Sequence, residues 1–281
     1  MPVLDYTAPT KGETQFVERP DGTRLRTVVS GSGDKTALLV HGYGAGADAW
    51  ALVVERLTAE GMRVISFDQR GHGQSTIGSD GSGSTAMSSD VGAVLEHYDV
   101  TDGTLVGHSM GGFLSIAFLV GDNPAIERVG SVLLMATFAG DVNRDNAQNK
   151  LQIPLIKSGL MTKLVRFGPF GTAFVKSLVG DDYQPGMKDA FLSTFLKADH
   201  ANLVPILQAM GDESRYGELD KIDLPCTVLV GDKDKTTPPF HTADLHAGIA
   251  GSKLVTLPGI GHGPNWEAPD QIAKEILDLA G

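Results

Sequence analysis

Gly107-His108-Ser109-Met110-Gly111-Gly112 joins a predicted buried strand at 104–106 to an apolar run at 113–120, which is long enough to be a buried helix. A Gly-x-Ser-x-Gly sequence at such a junction forms a tight turn that holds its serine in a strained conformation at the carboxyl edge of a sheet. The flanking glycines are needed because the strand and the helix nearly touch there. The sequence therefore predicts a nucleophilic Ser109, with the backbone N–H of Met110 beside it at the helix N-terminus.

Predicted strands and helices alternate on both sides of this stretch. Apolar runs predict further strands at 36–40, 62–67, 129–136, 227–230 and 253–257. Strands at 14–18 and 24–30, separated by a Pro-Asp-Gly turn, are expected to form an antiparallel hairpin at one sheet edge. Amphipathic segments between the strands predict helices, one of them near 242–249. This order predicts an α/β fold with a mainly parallel central sheet and helices on both faces.

The alternation stops between residues 138 and 217, where no clear strand is predicted and apolar, intermittently basic stretches suggest helices. We therefore divide the chain into a core domain, residues 1–137 and 218–281, and a helical insertion, residues 138–217. The insertion carries a series of phenylalanines, namely Phe170, Phe174, Phe191 and Phe195. We expect this apolar face to roof a pocket as well as to pack on the core.

Net charge, cysteine content and the length of apolar runs limit the classes of function that this chain can have. The chain has 281 residues and a net charge of −11, which argues against a nucleic-acid partner. Its single cysteine, Cys226, lies in an apolar run, so no intrachain disulfide can form and we expect a small core residue. The amino terminus shows no signal peptide, and no apolar run approaches the ~20 residues that a membrane span needs. We expect a cytoplasmic enzyme without stable membrane association.

A serine hydroxyl becomes a good nucleophile when a histidine takes its proton and a carboxylate holds that histidine in place. His262 follows the last predicted strand in a glycine-flanked loop, which places it at the same sheet edge as Ser109. Five other histidines are set aside by position: His97 and His246 in predicted helices, His200 in the insertion, His241 in a loop away from any strand end, and His108 pointing elsewhere on the turn. The predicted base is therefore His262.

The acid should follow the serine and precede the histidine, again at a strand end. Asp234 lies in the loop after the predicted strand at 227–230, where a short reach would meet His262. Asp232 is a rival two positions away. Asp141, after the strand that ends at 136, is a second rival. We predict Asp234.

An oxyanion formed by acyl attack needs two backbone donors. Met110 supplies one, and the predicted second is the N–H of Tyr43, in the glycine-containing loop after the first central strand. The side chains of His41, Arg70 and His72 are expected to brace this loop and the next one, and not to take part in chemistry.

The assembled motifs resemble the α/β-hydrolase-fold serine hydrolases over nearly the whole chain. The matching pieces are His41-Gly42-Tyr43-Gly44, the run Asp-Gln-Arg-Gly-His-Gly-Gln-Ser at 68–75, the stretch at 107–112, Gly-Asp-Lys-Asp at 231–234 with Pro238, and Gly261-His262 with Glu267 and Pro269. They are most similar to single-domain esterases and lipases whose helical cap follows the sixth strand. The single Gly-Tyr step resembles members that act on esters of primary and secondary alcohols. Dehalogenases and epoxide hydrolases of this fold carry aspartate as nucleophile, so Ser109 disfavours both.

The resemblance implies a carboxylic ester hydrolase in which Ser109 attacks, His262 moves the proton and Asp234 orients His262. It implies a small apolar ester as partner and requires no metal or cofactor. Lactonases, amidases, cofactor-free haloperoxidases and C–C hydrolases of ring-cleavage products share this triad and stay open. A C–C hydrolase would need a positively charged side chain in the pocket to hold a substrate carboxylate. The candidates are Lys150, Lys157, Lys163, Arg166 and Lys176. A non-catalytic ligand-binding protein is the alternative from another class.

Overall fold

Eight strands form one sheet in the computed structural model, which describes residues 4–281. The strands are β1 (Glu13–Glu18), β2 (Arg24–Ser30), β3 (Thr36–Val40), β4 (Arg63–Phe67), β5 (Gly103–His108), β6 (Val129–Met135), β7 (Cys226–Gly231) and β8 (Lys253–Leu257). Their order across the sheet is β1-β2-β4-β3-β5-β6-β7-β8. β2 is antiparallel to β1 and β4, and every other neighbouring pair is parallel. The predicted α/β fold with an edge hairpin is confirmed.

Helices fill the connections between the strands. They are α1 (Ala51–Ala59), α2 (Ser84–His97), α3 (Met110–Leu119), α4 (Ala147–Lys157), α5 (Leu160–Leu164), α6 (Gly168–Lys176), α7 (Pro185–Phe195), α8 (Val204–Asp212), α9 (Pro239–Gly248), α10 (Pro264–Glu267) and α11 (Pro269–Ala280). Among residues 4–281, none of these helices is long and apolar enough to cross a lipid bilayer.

The central strands are mostly apolar, and β3 and β7 are buried at every position, because both faces of the sheet are covered. In β3, Leu38 and Val40 pack in a cluster with side chains of α2, α3 and α9. The alternate residues Ala37 and Leu39 pack in a second cluster with α1 and α11. Side chains of successive strand residues point to opposite faces, so the sheet is sandwiched between two helical layers.

The chain between β6 and β7 is helical, with α4 to α8 and a single isolated bridge between Gly140 and Ser214. Its buried apolar side chains join a third cluster with Met110 and Phe113 of α3 and with Trp266. This segment therefore packs on the core at the end of the sheet where Ser109 lies.

Two local predictions were wrong or incomplete. His241 was expected in a loop, but α9 begins at Pro239 and includes His241 as a buried residue. Proline at the first helical position fits this early start. The short helix α10, which directly follows the loop of His262, was not predicted, because four residues are too few to show a helical periodicity.

Candidate active site

Ser109 stands in the turn between β5 and α3 with φ +53° and ψ −120°, a strained conformation for a residue with a side chain. The glycines around it are required by close approach. A Cβ on Gly111 would lie 2.2 Å from the carbonyl oxygen of Val40, and a Cβ on Gly107 would lie 2.6 Å from Gly112 Cα. The turn can therefore form only with glycine at both positions, as the sequence predicted.

Three buried side chains form a continuous chain of hydrogen bonds at the carboxyl edge of the sheet. His262 Nε2 lies 2.9 Å from Ser109 Oγ. His262 Nδ1 lies 2.8 Å from Asp234 Oδ2. With the proton on Nδ1, the imidazole donates to the carboxylate and can accept the serine proton at Nε2. The geometry is that of an activated serine.

Burial alone would raise the pKa of Asp234, but the His262 imidazole and the donors of Thr237 hold it below its ordinary value. The backbone N–H groups of Thr236 and Thr237 donate to Asp234 Oδ1. The Thr237 hydroxyl donates to Oδ2 at 2.8 Å. The carboxylate thus stays ionised and fixed in the orientation that faces His262.

The two rival acids lie elsewhere. Asp232 is exposed, and its carboxylate accepts the N–H of Gly259 at 2.7 Å. Asp141 is exposed, and its backbone N–H pairs with the carbonyl of Glu213. The structure brings Asp234 to His262 and leaves both rivals apart from it.

The predicted backbone donors, Met110 and Tyr43, flank Ser109. Met110 is the first residue of α3, and Tyr43 follows β3 in a loop that lines the same cavity as Ser109. In the chain that the structure describes, neither N–H donates to another backbone group. Both are therefore free to donate to an oxyanion.

Buried histidines fix the loop after β3, as the sequence analysis expected. His72 Nε2 accepts the N–H of Gly44 at 3.0 Å, the residue directly after Tyr43. His41 Nε2 accepts the N–H of Gln69 at 3.0 Å, which ties this loop to the next one. Arg70 is buried and forms ion pairs with Asp90 and Asp21.

Sequence analysis missed a second attachment of this loop. The Tyr43 hydroxyl donates to His200 Nδ1 at 2.7 Å, and His200 Nε2 in turn donates to the carbonyl of Phe195 at 2.7 Å. Gly44 also lies against Phe195, since a Cβ there would be 2.5 Å from the phenylalanine ring. His200 was set aside for its place in the insertion, and no local motif signals a contact between residues 157 positions apart.

Tyr43→Phe should lower kcat about fivefold with little change in KM, because a lost hydrogen bond of ~1 kcal/mol loosens the loop while the Tyr43 N–H remains. Steady-state ester hydrolysis measures both constants. Tyr216→Phe is the matched control: its hydroxyl bonds to buried His241 Nδ1 at 2.6 Å, and Tyr216 does not line the cavity. Equal losses in the two variants would show that the Tyr43 hydroxyl acts only through overall stability.

The loop of His262 is also braced. His108 was expected to point elsewhere, but its Nε2 donates to the carbonyl of His262 at 2.7 Å and its ring lies 5.0 Å from the His262 ring. The Glu267 carboxylate accepts the N–H groups of Gly180, Gly261 and Gly263 at 2.6 to 3.0 Å. The loop of His262 is thus held by His108 and by Glu267, and Glu267 also connects this loop to Gly180 of the insertion.

Four buried histidines are neutral in the folded protein. Burial lowers the pKa to about 3 for His72 and His108. Burial likewise lowers the pKa to about 4 for His41 and His241. In the unfolded chain each would titrate near its ordinary pKa of ~6.5.

As the pH is lowered, the protein should therefore begin to lose stability at pH values well above those at which carboxylates titrate. As the pH falls below ~6.5, these histidines become protonated in the unfolded chain, whereas in the folded protein they stay neutral until the pH reaches 3 to 4. Each histidine should lower the free energy of unfolding by about 1–2 kcal/mol at pH 5. Thermal unfolding between pH 8 and pH 5 measures the effect. His241→Asn should flatten this dependence and exposed His97→Asn should not; a melting temperature independent of pH would contradict the prediction.

A cavity of about 120 Å³ opens beside Ser109 and His262. Its wall is mostly apolar and is largely built by the insertion, with Phe138, Val142, Ile153, Ile156, Phe174, Val175, Leu178, Val179, Phe191, Phe195, Leu207 and Met210. Across residues 4–281, no lysine or arginine lines it. The five basic side chains considered for holding a carboxylate are exposed or half-exposed on the outside of the insertion. No cluster of His, Cys, Asp or Glu in the described chain has the arrangement of a metal site.

Comparison with known proteins gives one fold and several reactions. A sequence model of the alpha/beta hydrolase family matches residues 37–275. The chain is 30% identical over 237 residues to the non-heme chloroperoxidase CPO-A1 of Kitasatospora aureofaciens, covering 82% of this chain and 85% of that protein. It is also 30% identical over 284 residues to a 2-hydroxy-6-oxononadienedioate/2-hydroxy-6-oxononatrienedioate hydrolase of Cupriavidus pinatubonensis, covering 96% of both chains.

Among solved structures, an esterase from Exiguobacterium antarcticum superposes with a TM-score of 0.85 at 25% identity. The alignment covers 95% of this chain and 99% of the esterase. The similar proteins are thus named as a chloroperoxidase, a dienedioate hydrolase and an esterase, so the choice between reactions has to come from the site itself.

Proposed function

Because this chain belongs to the alpha/beta hydrolase family, we propose that it is a serine hydrolase that cleaves carboxylic esters of small apolar substrates. The proposal rests on the hydrogen bonds that join Ser109, His262 and Asp234 next to an apolar cavity. Among residues 4–281, no lysine or arginine lines that cavity. A neutral ester fits such a cavity, whereas an ionised substrate would lose its hydration without a partner.

The reaction follows from the geometry. His262 Nε2 takes the proton of Ser109 as the serine oxygen attacks the acyl carbon, and Asp234 stabilises the imidazolium. The N–H groups of Tyr43 and Met110 hold the oxyanion. The imidazolium then protonates the departing alcohol. Water, deprotonated by His262, releases the acyl group and restores Ser109.

In this proposal residues 138–217 act as a cap on a core made of residues 1–137 and 218–281. The apolar side chains of α4, α6 and α7 that line the cavity support this role. The cap excludes water from the acyl-enzyme and shapes the space for the acyl or alkyl chain. A cytoplasmic location belongs to the same proposal and is based on the single, buried Cys226.

C–C hydrolysis is the second candidate, favoured by the 30% identity to the dienedioate hydrolase. The name of that relative's substrate denotes two carboxylates. A carboxylate buried without a positive partner is strongly disfavoured. The absence of lysine and arginine from the cavity wall, within residues 4–281, therefore favours the ester.

The deciding experiment measures hydrolysis of p-nitrophenyl esters from acetate to palmitate by the purified chain. We expect many turnovers per Ser109 and a maximum at one chain length, set by the cavity. Release of a single equivalent of nitrophenol would instead support a ligand-binding protein. Negligible ester turnover by a folded protein that still reacts with a fluorophosphonate at Ser109 would refute the ester proposal. A dienoate ring-cleavage product, a lactone and a halide–peroxide assay would then identify the bond.

A further inference from the structure

The segment 146–180, which contains α4, α5 and α6, differs in charge from the rest of the protein. It holds five basic residues and no acidic one, in a chain with a net charge of −11. The five are Lys150, Lys157, Lys163, Arg166 and Lys176. No ion pair found among residues 4–281 involves any of them; the nearest pairs in sequence are those of Arg144 and Lys188. This segment therefore carries a formal charge of +5 that is not neutralised by ion pairs in the described chain, with exposed Asp145, Asp181 and Asp182 just outside its ends.

Large apolar side chains are exposed in the same segment. Leu151 and Phe167 are each 68% exposed, Leu160 is 44% exposed and Phe170 is 36% exposed. Of the described residues, only Leu254 on β8 is a comparably exposed large apolar residue elsewhere. We call Leu151, Leu160, Lys163, Arg166, Phe167 and Phe170 together the outer face. A large exposed apolar patch with a polar rim marks an interaction surface, whereas single exposed apolar residues are common.

Two helices carry both exposed apolar side chains of the outer face and side chains of the cavity wall. Ile153 and Ile156 of α4 face the cavity, while Leu151 of the same helix is exposed. In α6, Phe174 and Val175 line the cavity and Phe170 is exposed. Part of the outer face therefore belongs to the same helices that build the cavity wall.

We propose that the outer face docks reversibly on an anionic lipid surface. Lys163 and Arg166 of the outer face, together with the three other cations of segment 146–180, are attracted to acidic headgroups, while the acidic remainder of the chain is repelled, so the protein is oriented with the outer face towards the lipid. The exposed phenylalanines and leucines then enter the boundary between headgroups and acyl chains. Because the attraction comes from a few charges and side chains, the association is reversible.

The shape of the outer face favours a lipid surface over a protein partner. None of its six residues lines a concave site found in the part of the chain that is described. A protein partner would need pockets that match these protruding side chains. A fluid headgroup layer accepts protruding apolar side chains without a complementary shape.

Docking would place apolar esters dissolved in the lipid next to the helices that cover the cavity. This consequence rests on the proposed function, but docking itself needs no turnover and is measured without substrate. A failure of docking and a failure of ester hydrolysis are therefore distinguishable.

The test is co-sedimentation of the full chain with vesicles. Vesicles of phosphatidylglycerol mixed with phosphatidylcholine should bind the protein, and vesicles of phosphatidylcholine alone should bind it at least about tenfold more weakly. High salt should release the bound protein, because it screens the attraction.

Two pairs of variants locate the contact. Lys163→Glu/Arg166→Glu should weaken binding to anionic vesicles at least about tenfold. Its control, Lys11→Glu/Lys35→Glu, changes the net charge equally at exposed sites outside the outer face and should bind as the parent does. Phe167→Ser/Phe170→Ser should also weaken binding, and Leu254→Ser should not. All of these variants should hydrolyse a short soluble ester normally, since none of the changed residues lines the cavity.

Three results would overturn the proposal. The first is equal binding to neutral and anionic vesicles, or no binding to either. The search for a partner would then turn to acidic proteins. The second is an equal loss in the two charge variants, which would assign the effect to net charge alone. The third is unchanged binding by the double phenylalanine variant.

Discussion

Replacing Ser109 with alanine should lower kcat for ester hydrolysis by about 10⁶-fold, the loss typical of removing the nucleophile from such a hydrogen-bonded set. Without the hydroxyl, His262 has no proton to take, and no acyl-enzyme can form. Binding should change little, because the cavity wall remains intact and alanine fills nearly the same space. The measurement is the rate with the best p-nitrophenyl ester, together with fluorophosphonate labelling, which should disappear.

Ser115→Ala is the matched control for Ser109→Ala. Ser115 is a buried serine of α3, the helix that follows Ser109, and its hydroxyl donates only to the carbonyl of Gly111 at 2.7 Å. Its removal should leave kcat within about threefold, since a single hydrogen bond within a helix contributes ~1 kcal/mol to stability. If Ser109→Ala kept more than a hundredth of the activity, a different nucleophile would have to be sought.

Asp234→Asn should lower kcat by about 10⁴-fold with the fold intact. The asparagine side chain has nearly the same size, but it cannot stabilise an imidazolium. Its NH₂ group would also favour a His262 tautomer with the proton on Nε2, which faces Ser109 and could no longer accept the serine proton. Because the buried carboxylate accepts three donors from Thr236 and Thr237, some loss of stability is also expected.

Asp232→Asn separates the two acids that the sequence placed side by side. Asp232 lies two residues away and accepts only the N–H of Gly259 in the described structure. Its asparagine variant should keep kcat within about threefold, because the amide oxygen can still accept that hydrogen bond. Comparing kcat and melting temperature for the two variants tests the assignment. Similar losses of activity would make Asp232 or a shared loop rearrangement responsible.

The parts of the site that the sequence could predict are those set by short-range rules. The Gly-x-Ser-x-Gly pattern marks the turn at Ser109 locally: Gly107 is required by a contact with Gly112, although Gly111 is required by a contact with Val40 of β3. Asp234 and His262 follow β7 and β8, which are neighbours in the sheet. Residues at the ends of neighbouring parallel strands meet at one edge, so their pairing follows from strand order alone.

The supports of the site could not be predicted in the same way. His200, Glu267 and His108 act through contacts that depend on how the insertion and the last helices fold back over the sheet. No residue type or spacing near His200 and His108 marks these contacts, and the motif that includes Glu267 does not show its hydrogen bond from the N–H of Gly180. The sequence also could not show whether a basic side chain lines the cavity. It shows lysines in the insertion but not the direction in which each side chain points.

The contacts of Tyr43 and Gly44 with the insertion have a consequence for the exchange of parts between family members. Tyr43 bonds to His200, and Gly44 leaves room for the ring of Phe195. A chimera that kept this core and received helices without a histidine and a phenylalanine at these positions would lose the partner of Tyr43 and the ring beside Gly44. The loop after β3 and the end of α7 would therefore have to be transplanted together, although they lie far apart in the sequence.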